Sequence, residues 1–138
     1  MTMDLAPYLN FNGNCAEAFK LYEQTFHGKI AMIQTFGESP MKDQVPAEWH
    51  GKVVHVRLEI GSKVLMGSDA PPPHFQSPQG MSVSITVPTY AEANRIFMAL
   101  AQNGNVTMPF ARTFWAPGFG MCTDRFGIPW MVGCEQPA

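Results

Sequence analysis

His55, Arg57 and Glu59 alternate along the stretch Val53-Val54-His55-Val56-Arg57-Leu58-Glu59-Ile60 and have the clearest capacity for chemistry. Residues two apart in a strand share a face. An imidazole beside a guanidinium and a carboxylate on a cavity-lining face could take or give a proton near neutral pH. The plainer alternative is a histidine that faces solvent or is hydrogen-bonded within the sheet. Asp69 follows Ser68 where a strand should end. Its carboxylate either points toward a cavity mouth or initiates the Asp-Ala-Pro turn through local backbone bonds. Arg112 precedes Thr113-Phe114-Trp115. A guanidinium near an indole suits an anionic or planar ligand, by paired hydrogen bonds and stacking. The same segment would equally suit a cover over a cavity or a contact with a second subunit. The candidate catalytic set is therefore His55, Glu59 and Asp69, and the candidate ligand pocket is His55, Arg57, Arg112 and Trp115.

The remaining reactive side chains form no pattern. His27, His50 and His74 add no metal-ligand spacing to His55, and Cys15, Cys122 and Cys134 contain no C-x-x-C pair. An odd set of thiols argues for free cysteines in a reducing compartment rather than a disulfide framework or zinc site. Asp124-Arg125 reads as a cross-turn pair, Trp130 as core, and Trp49 and Trp115 as loop residues near a pocket or interface. The 138 residues carry 9 Lys plus Arg against 11 Asp plus Glu, a net charge of −2, which disfavours a nucleic-acid partner. Only 14% of residues are charged and 46% are hydrophobic, so a core is assured and disorder is excluded. No membrane-spanning run or secretory leader is visible, and the expected location is the cytoplasm.

Two similar halves must position these groups. Asn14-Cys15-Ala16-Glu17 and Thr89-Tyr90-Ala91-Glu92 both read as a cap residue followed by a reaching glutamate. The first predicts a helix over 15–26 with Ala18, Leu21, Tyr22 and Phe26 inward, ended by His27-Gly28 with Gly28 left-handed. The second predicts a helix over 90–102 with Ala93, Ile96, Phe97 and Leu100 inward. Strands are expected at 6–11, 29–36, 53–60 and 63–68, then at 81–87, 105–108, 119–123 and 128–134. In the strand at 53–60, Val54, Val56, Leu58 and Ile60 should face the core. Each half then reads strand, helix, three strands. Residues 1–70 form a first module, the proline-rich 71–80 a linker, and 81–138 a second module, all packed as one unit.

Pro7-Tyr8-Leu9-Asn10-Phe11, Leu65-Met66-Gly67-Ser68-Asp69, Thr113-Phe114-Trp115 and above all Phe119-Gly120-Met121-Cys122-Thr123-Asp124-Arg125-Phe126-Gly127-Ile128-Pro129-Trp130 carry a resemblance. The chain resembles the vicinal oxygen chelate superfamily of glyoxalase I, extradiol dioxygenases and bleomycin-resistance proteins, in its PhnB-like subgroup. The resemblance implies an α+β fold: two βαβββ modules forming one curved mixed sheet around a cavity, helices outside, in a homodimer. It also implies metal ligands on the first and last strand of each module. Those places fall near 9–11, 66–68, 82–84 and 130–132, where no His or Glu stands. Members of this subgroup sometimes carry the label of a ubiquinone-precursor methyltransferase. A nucleotide-like cofactor calls for a Gly-rich turn between a strand and a helix, whereas Gly118-Phe119-Gly120 leads into a strand.

Three functions fit these residues. The first is a small-molecule-binding protein with no identifiable catalytic set and no identifiable cofactor. The second is a metal-dependent lyase or dioxygenase-like enzyme, with a divalent ion near His55, Glu59 or Asp69. The third is a dimeric structural or interaction protein.

Overall fold

The computed structural model describes residues 3–138. The chain forms two compact units, one ending at Ser77 and one spanning Pro78–Ala138. The first unit runs β1 (Tyr8–Phe11), α1 (Cys15–Phe26), β2 (Lys29–Thr35), three short 3-10 turns between Phe36 and Trp49, β3 (Val53–Ile60) and β4 (Lys63–Asp69). The second runs β5 (Val83–Val87), α2 (Tyr90–Ala101), β6 (Asn105–Ala111), β7 (Gly118–Thr123) and β8 (Pro129–Cys134). Each unit has its own four-stranded mixed sheet, ordered β1-β4-β3-β2 and β5-β8-β7-β6. The first and last strands of each module are parallel neighbours, and the other pairs are antiparallel. The strand-helix-three-strand plan read from the sequence is thus present twice.

In the first unit Cys15, Ala18, Phe19, Tyr22 and Thr25 form the buried stripe of α1, while Leu21 and Phe26 are half-buried. The stripe is rotated from the expected one because Phe19 sits over Gly67 of β4. A Cβ on Gly67 would lie 2.7 Å from Phe19 Cε1 and 2.8 Å from the Leu9 carbonyl. Glycine therefore permits this close helix-to-sheet approach. Phe11 and Tyr22 meet Phe19 edge-on, with ring centroids 5.9 and 5.4 Å away. Val53, not Val54, is buried with Val56 and Leu58. The cause is a β-bulge, since Gln34 pairs with His55 and Thr35 with Val53, leaving Val54 as the extra residue. In the second unit the inward face of α2 is Ala93, Ile96, Phe97 and Leu100, as its periodicity predicts.

The two helix starts are built differently. Thr89 accepts from the Glu92 backbone N–H at 3.2 Å, the expected cap. Asn14 makes no side-chain cap bond, and its Oδ1 is buried without a hydrogen-bond partner. A distant carboxylate instead receives the amides on either side of Asn14. Asp69 Oδ1 accepts from Gly13 N at 2.9 Å and Cys15 N at 3.0 Å, and Oδ2 accepts from Val53 N at 2.9 Å. At the other end His27, rather than Gly28, is left-handed, with φ 54°. Gly28 is demanded by proximity, because a Cβ there would stand 2.7 Å from the Glu59 carbonyl.

The three cysteines are free and buried. Burial, reinforced by the Asp69 charge, pushes the Cys15 thiol far above its ordinary range. Burial and the nearby Asp124 raise Cys122 to about 11. Both remain protonated at neutral pH, when neither is a useful nucleophile. The folded chain holds these protons to higher pH than the unfolded chain does. Their contribution to stability is intact below the ordinary thiol range and falls as pH rises from about 9 toward 11. Urea midpoints should therefore decline over that window, less steeply in Cys122→Ala. A thiol reagent at pH of about 8 should leave Cys15 and Cys122 unmodified until the protein is unfolded.

Candidate functional site

Each helix covers one face of its sheet, and the candidate chemistry of the first unit lies on the other face. Arg57 pairs in register with Met66 on one side and Met32 on the other, and Met66 with Tyr8. These four residues form a row across that face, with His55, Glu59, Asn10 and Ser68 on the same side by strand alternation. The Tyr8 and His55 rings stack at 5.7 Å with a 21° interplanar angle, and Tyr8 Oη lies 3.1 Å from His55 Nδ1. Arg57 Nε donates to Glu59 Oε2 at 3.3 Å, with both side chains nearly half exposed. Such a pair stabilises the sheet by less than about 1 kcal/mol and leaves the other guanidinium donors available. His55, Arg57 and Glu59 are thus together, as the alternation predicts. Asp69 is on the opposite, helix-covered face, 3% exposed, with both oxygens committed to backbone N–H groups.

Arg112 and Trp115 meet in the second unit. They line a cleft of about 670 Å³ together with Tyr90, Thr113, Phe114 and Pro117, among others. The wall is built by a self-closed turn. Thr113 N donates to the Ala116 carbonyl at 3.0 Å, and Ala116 N donates back to Thr113 Oγ1 at 3.1 Å. Pro117 follows with no N–H to continue the pairing. The turn pushes its two central rings outward, Phe114 to 97% and Trp115 to 50% exposure. Trp115 is held edge-on between Phe114 at 4.7 Å and Phe119 of β7 at 5.3 Å. Arg112 is exposed and makes no hydrogen bond or ion pair among the described residues. An unpaired guanidinium beside a fixed indole can grip a carboxylate or similar group while an aromatic body stacks on the ring.

The other sequence candidates serve the fold. Asp124 is buried, and its Oδ1 accepts from Phe126 N at 2.9 Å and Ile128 N at 3.0 Å. Its Oδ2 accepts from Trp130 Nε1 at 2.8 Å, a contact that local pairing rules did not anticipate. Arg125 instead lies 4.8 Å from the Phe126 ring centroid. Trp49 packs edge-on against buried Phe36 at 6.1 Å. His50 Nε2 is 2.9 Å from the Lys42 carbonyl. Sequence reasoning also missed Tyr8 as the partner of His55, because the contact joins residues 47 apart through β4.

A model of the family described as 3-demethylubiquinone-9 3-methyltransferase matches residues 3–133. The chain belongs to that family. It is 36% identical over 145 residues to protein YjdN of Escherichia coli (strain K12), covering 98% of this chain and 99% of that one. The crystal structure of protein PA1353 from Pseudomonas aeruginosa is 48% identical with a TM-score of 0.90, over 98% of this chain and 99% of the other. The PhnB protein from Bacillus cereus shares the fold at 24% identity and a TM-score of 0.82, over 96% of this chain and 100% of that one. The fold is that of the vicinal oxygen chelate superfamily, and the family is its PhnB-like branch.

Two properties suggested by these names can be tested against the residues. The superfamily's metal positions, on the first and last strand of each module, place Tyr8, Asn10, Met66 and Ser68 on the face away from the helix in the first unit. In the second they place Ser84, Thr86, Met131 and Gly133 there. None is an imidazole or carboxylate, so these positions do not fit a divalent ion. Among the described residues no group of three or more His, Cys, Asp or Glu could hold a metal ion. The family's description names a methyl transfer. Gly118 and Gly120 lie inside β7, where they admit Tyr90, Phe97 and Phe110 against the sheet, and form no phosphate-cradling turn before a helix. Among the described residues no helix is long and apolar enough to cross a membrane.

Proposed function

We propose that this protein binds a small organic anion with a planar apolar body, seated in the cleft of the second unit. The carrying observation is Arg112, an unpartnered guanidinium in a cleft of about 670 Å³ whose wall includes Phe114 and Trp115. The turn at 113–116 holds the two rings before any ligand arrives, which lowers the ordering cost of binding. We assign His55 and Arg57 to binding on the first unit's own sheet, outside this cleft, and no chemical step to Glu59 or Asp69. The family resemblance extends this reading to a cytoplasmic homodimer in which the sheets form one curved surface around a cavity. Native mass spectrometry of the full chain, which reads subunit number and any co-purified mass, tests the dimer.

Tryptophan fluorescence tests the binding. Titration with naphthoate should change the emission of Trp115, the half-exposed indole, and Arg112→Gln should weaken binding on the order of tenfold or more, the worth of a charge-assisted pair. The matched neutral amide should bind wild type and variant alike. Equal affinity of wild-type protein for naphthoate and its amide would defeat the anion assignment. No response to either compound would defeat the site.

A further inference from the structure

The Tyr8–His55 contact bears on what His55 can do. Neutral imidazole has one N–H and one bare nitrogen, and the bond made by one fixes the role of the other. With Tyr8 Oη 3.1 Å from Nδ1, either the phenol donates to Nδ1 or Nδ1–H donates to the phenol. The phenol is the better donor and imidazole nitrogen the better acceptor, so the first direction is the stronger. Stacking of the two rings at 21° holds both groups in place. The proton of neutral His55 then sits on Nε2, and the unprotonated Nδ1 is occupied by the phenol and not free to act as a base.

The surroundings of His55 say what such a donor would meet. On its own strand, Arg57 and Glu59 share its face. Across on β2, Gln34 is opposite His55 and Lys29 opposite Glu59. From β4 come Met66 and Ser68, and from β1 Tyr8 and Asn10, all uncharged. Arg57 and Lys29 against Glu59 leave one net positive charge, and the guanidinium has donors beyond the one given to Glu59. We propose that Tyr8 is a positioning residue that fixes His55 as a hydrogen-bond donor, and that this face of the first sheet takes an oxyanion, a carboxylate or phosphate group, between His55 Nε2–H and Arg57. Every residue of this site belongs to the first unit, and it shares none with the cleft containing Arg112.

Nitrogen-15 side-chain spectra of the full-length protein, recorded above the histidine titration range, test both parts. His55 Nδ1 should show the shift of a bare ring nitrogen and Nε2 that of an N–H nitrogen. Tyr8→Phe should move both toward the averaged values of mixed tautomers. Tyr8 is 42% exposed, so loss of its hydroxyl should not threaten the fold. Titration with inorganic phosphate or with acetate should shift the His55 Nε2–H signal, several-fold more weakly in Tyr8→Phe. The tighter of the two names the group. Arg112→Gln should leave these shifts unmoved whether or not the cleft binds naphthoate. A proton on Nδ1 in wild type, identical ring shifts in Tyr8→Phe, or no response to either anion would overturn the assignment.

Discussion

Asp69→Ala should destabilise the folded chain by about 4 kcal/mol. The carboxylate takes three backbone N–H groups, from Gly13, Cys15 and Val53, and the bonds to Cys15 and Val53 are buried. Removing it leaves those donors without an acceptor, and each orphaned buried group costs about 1–3 kcal/mol. The loss is a large share of the roughly 5–15 kcal/mol by which a domain is stable. Asp69→Asn should recover only part of it, since one oxygen remains but an NH₂ group must face the other donors. Asn14→Ala is the informative contrast. A working cap would cost about 1 kcal/mol on truncation, but the Asn14 oxygen is already unpartnered. That variant should stay within about 0.5 kcal/mol of wild type. Urea denaturation of the three proteins, compared at fixed pH, gives the answer. A cost below about 1 kcal/mol for Asp69→Ala would show that water reaches and satisfies these amides.

Asp124→Ala should cost the fold about 3–5 kcal/mol, by loss of charge-assisted bonds to two turn amides and to the Trp130 indole. Trp130 is 1% exposed, among the largest fully buried side chains. Its Nε1–H lies too deep for bulk water to replace the carboxylate. Asp124→Asn separates the contributions. Rotated to keep its oxygen on the turn amides, it would set an amide N–H against the indole N–H, so the penalty should fall on Trp130. Near-UV circular dichroism and the urea midpoint together check this. Unchanged tryptophan signals and a midpoint like wild type in both variants would remove Asp124 from the core's account.

Both effects lie in contacts that sequence could not announce, and the reason is distance along the chain. The alternating βαβββ plan, helix α1 over 15–26 and the inward face of α2 were legible because periodicity is local. So was the grouping of His55, Arg57 and Glu59, which strand alternation alone places on one face. The bulge at Val54 was hidden, since it depends on how β2 pairs with β3 rather than on the residues of β3. The rotation of α1 was hidden for a similar reason, because Gly67 lies far from Phe19 in sequence. The left-handed residue at the end of α1 was misplaced because a glycine next to a histidine looks like a C-cap. Here it is needed for room against Glu59. A place at a strand end points Asp69 toward chemistry, and only the folded chain reveals the three amides that occupy it. Adjacency in sequence pairs Arg112 with Trp115, and the turn at 113–116 makes the pair a wall.

The unequal helix starts set an order of events during synthesis. Helix α2 has its acceptor at Thr89 before its first turn and can complete that turn as soon as its own residues leave the ribosome. Helix α1 has no such local acceptor in use. The first amide of α1, that of Cys15, is answered by Asp69, which is synthesised 54 residues later. The first helix made is therefore finished only when the last strand of its module has been added. Until then the growing chain carries an incomplete helix whose apolar stripe has no sheet to cover it.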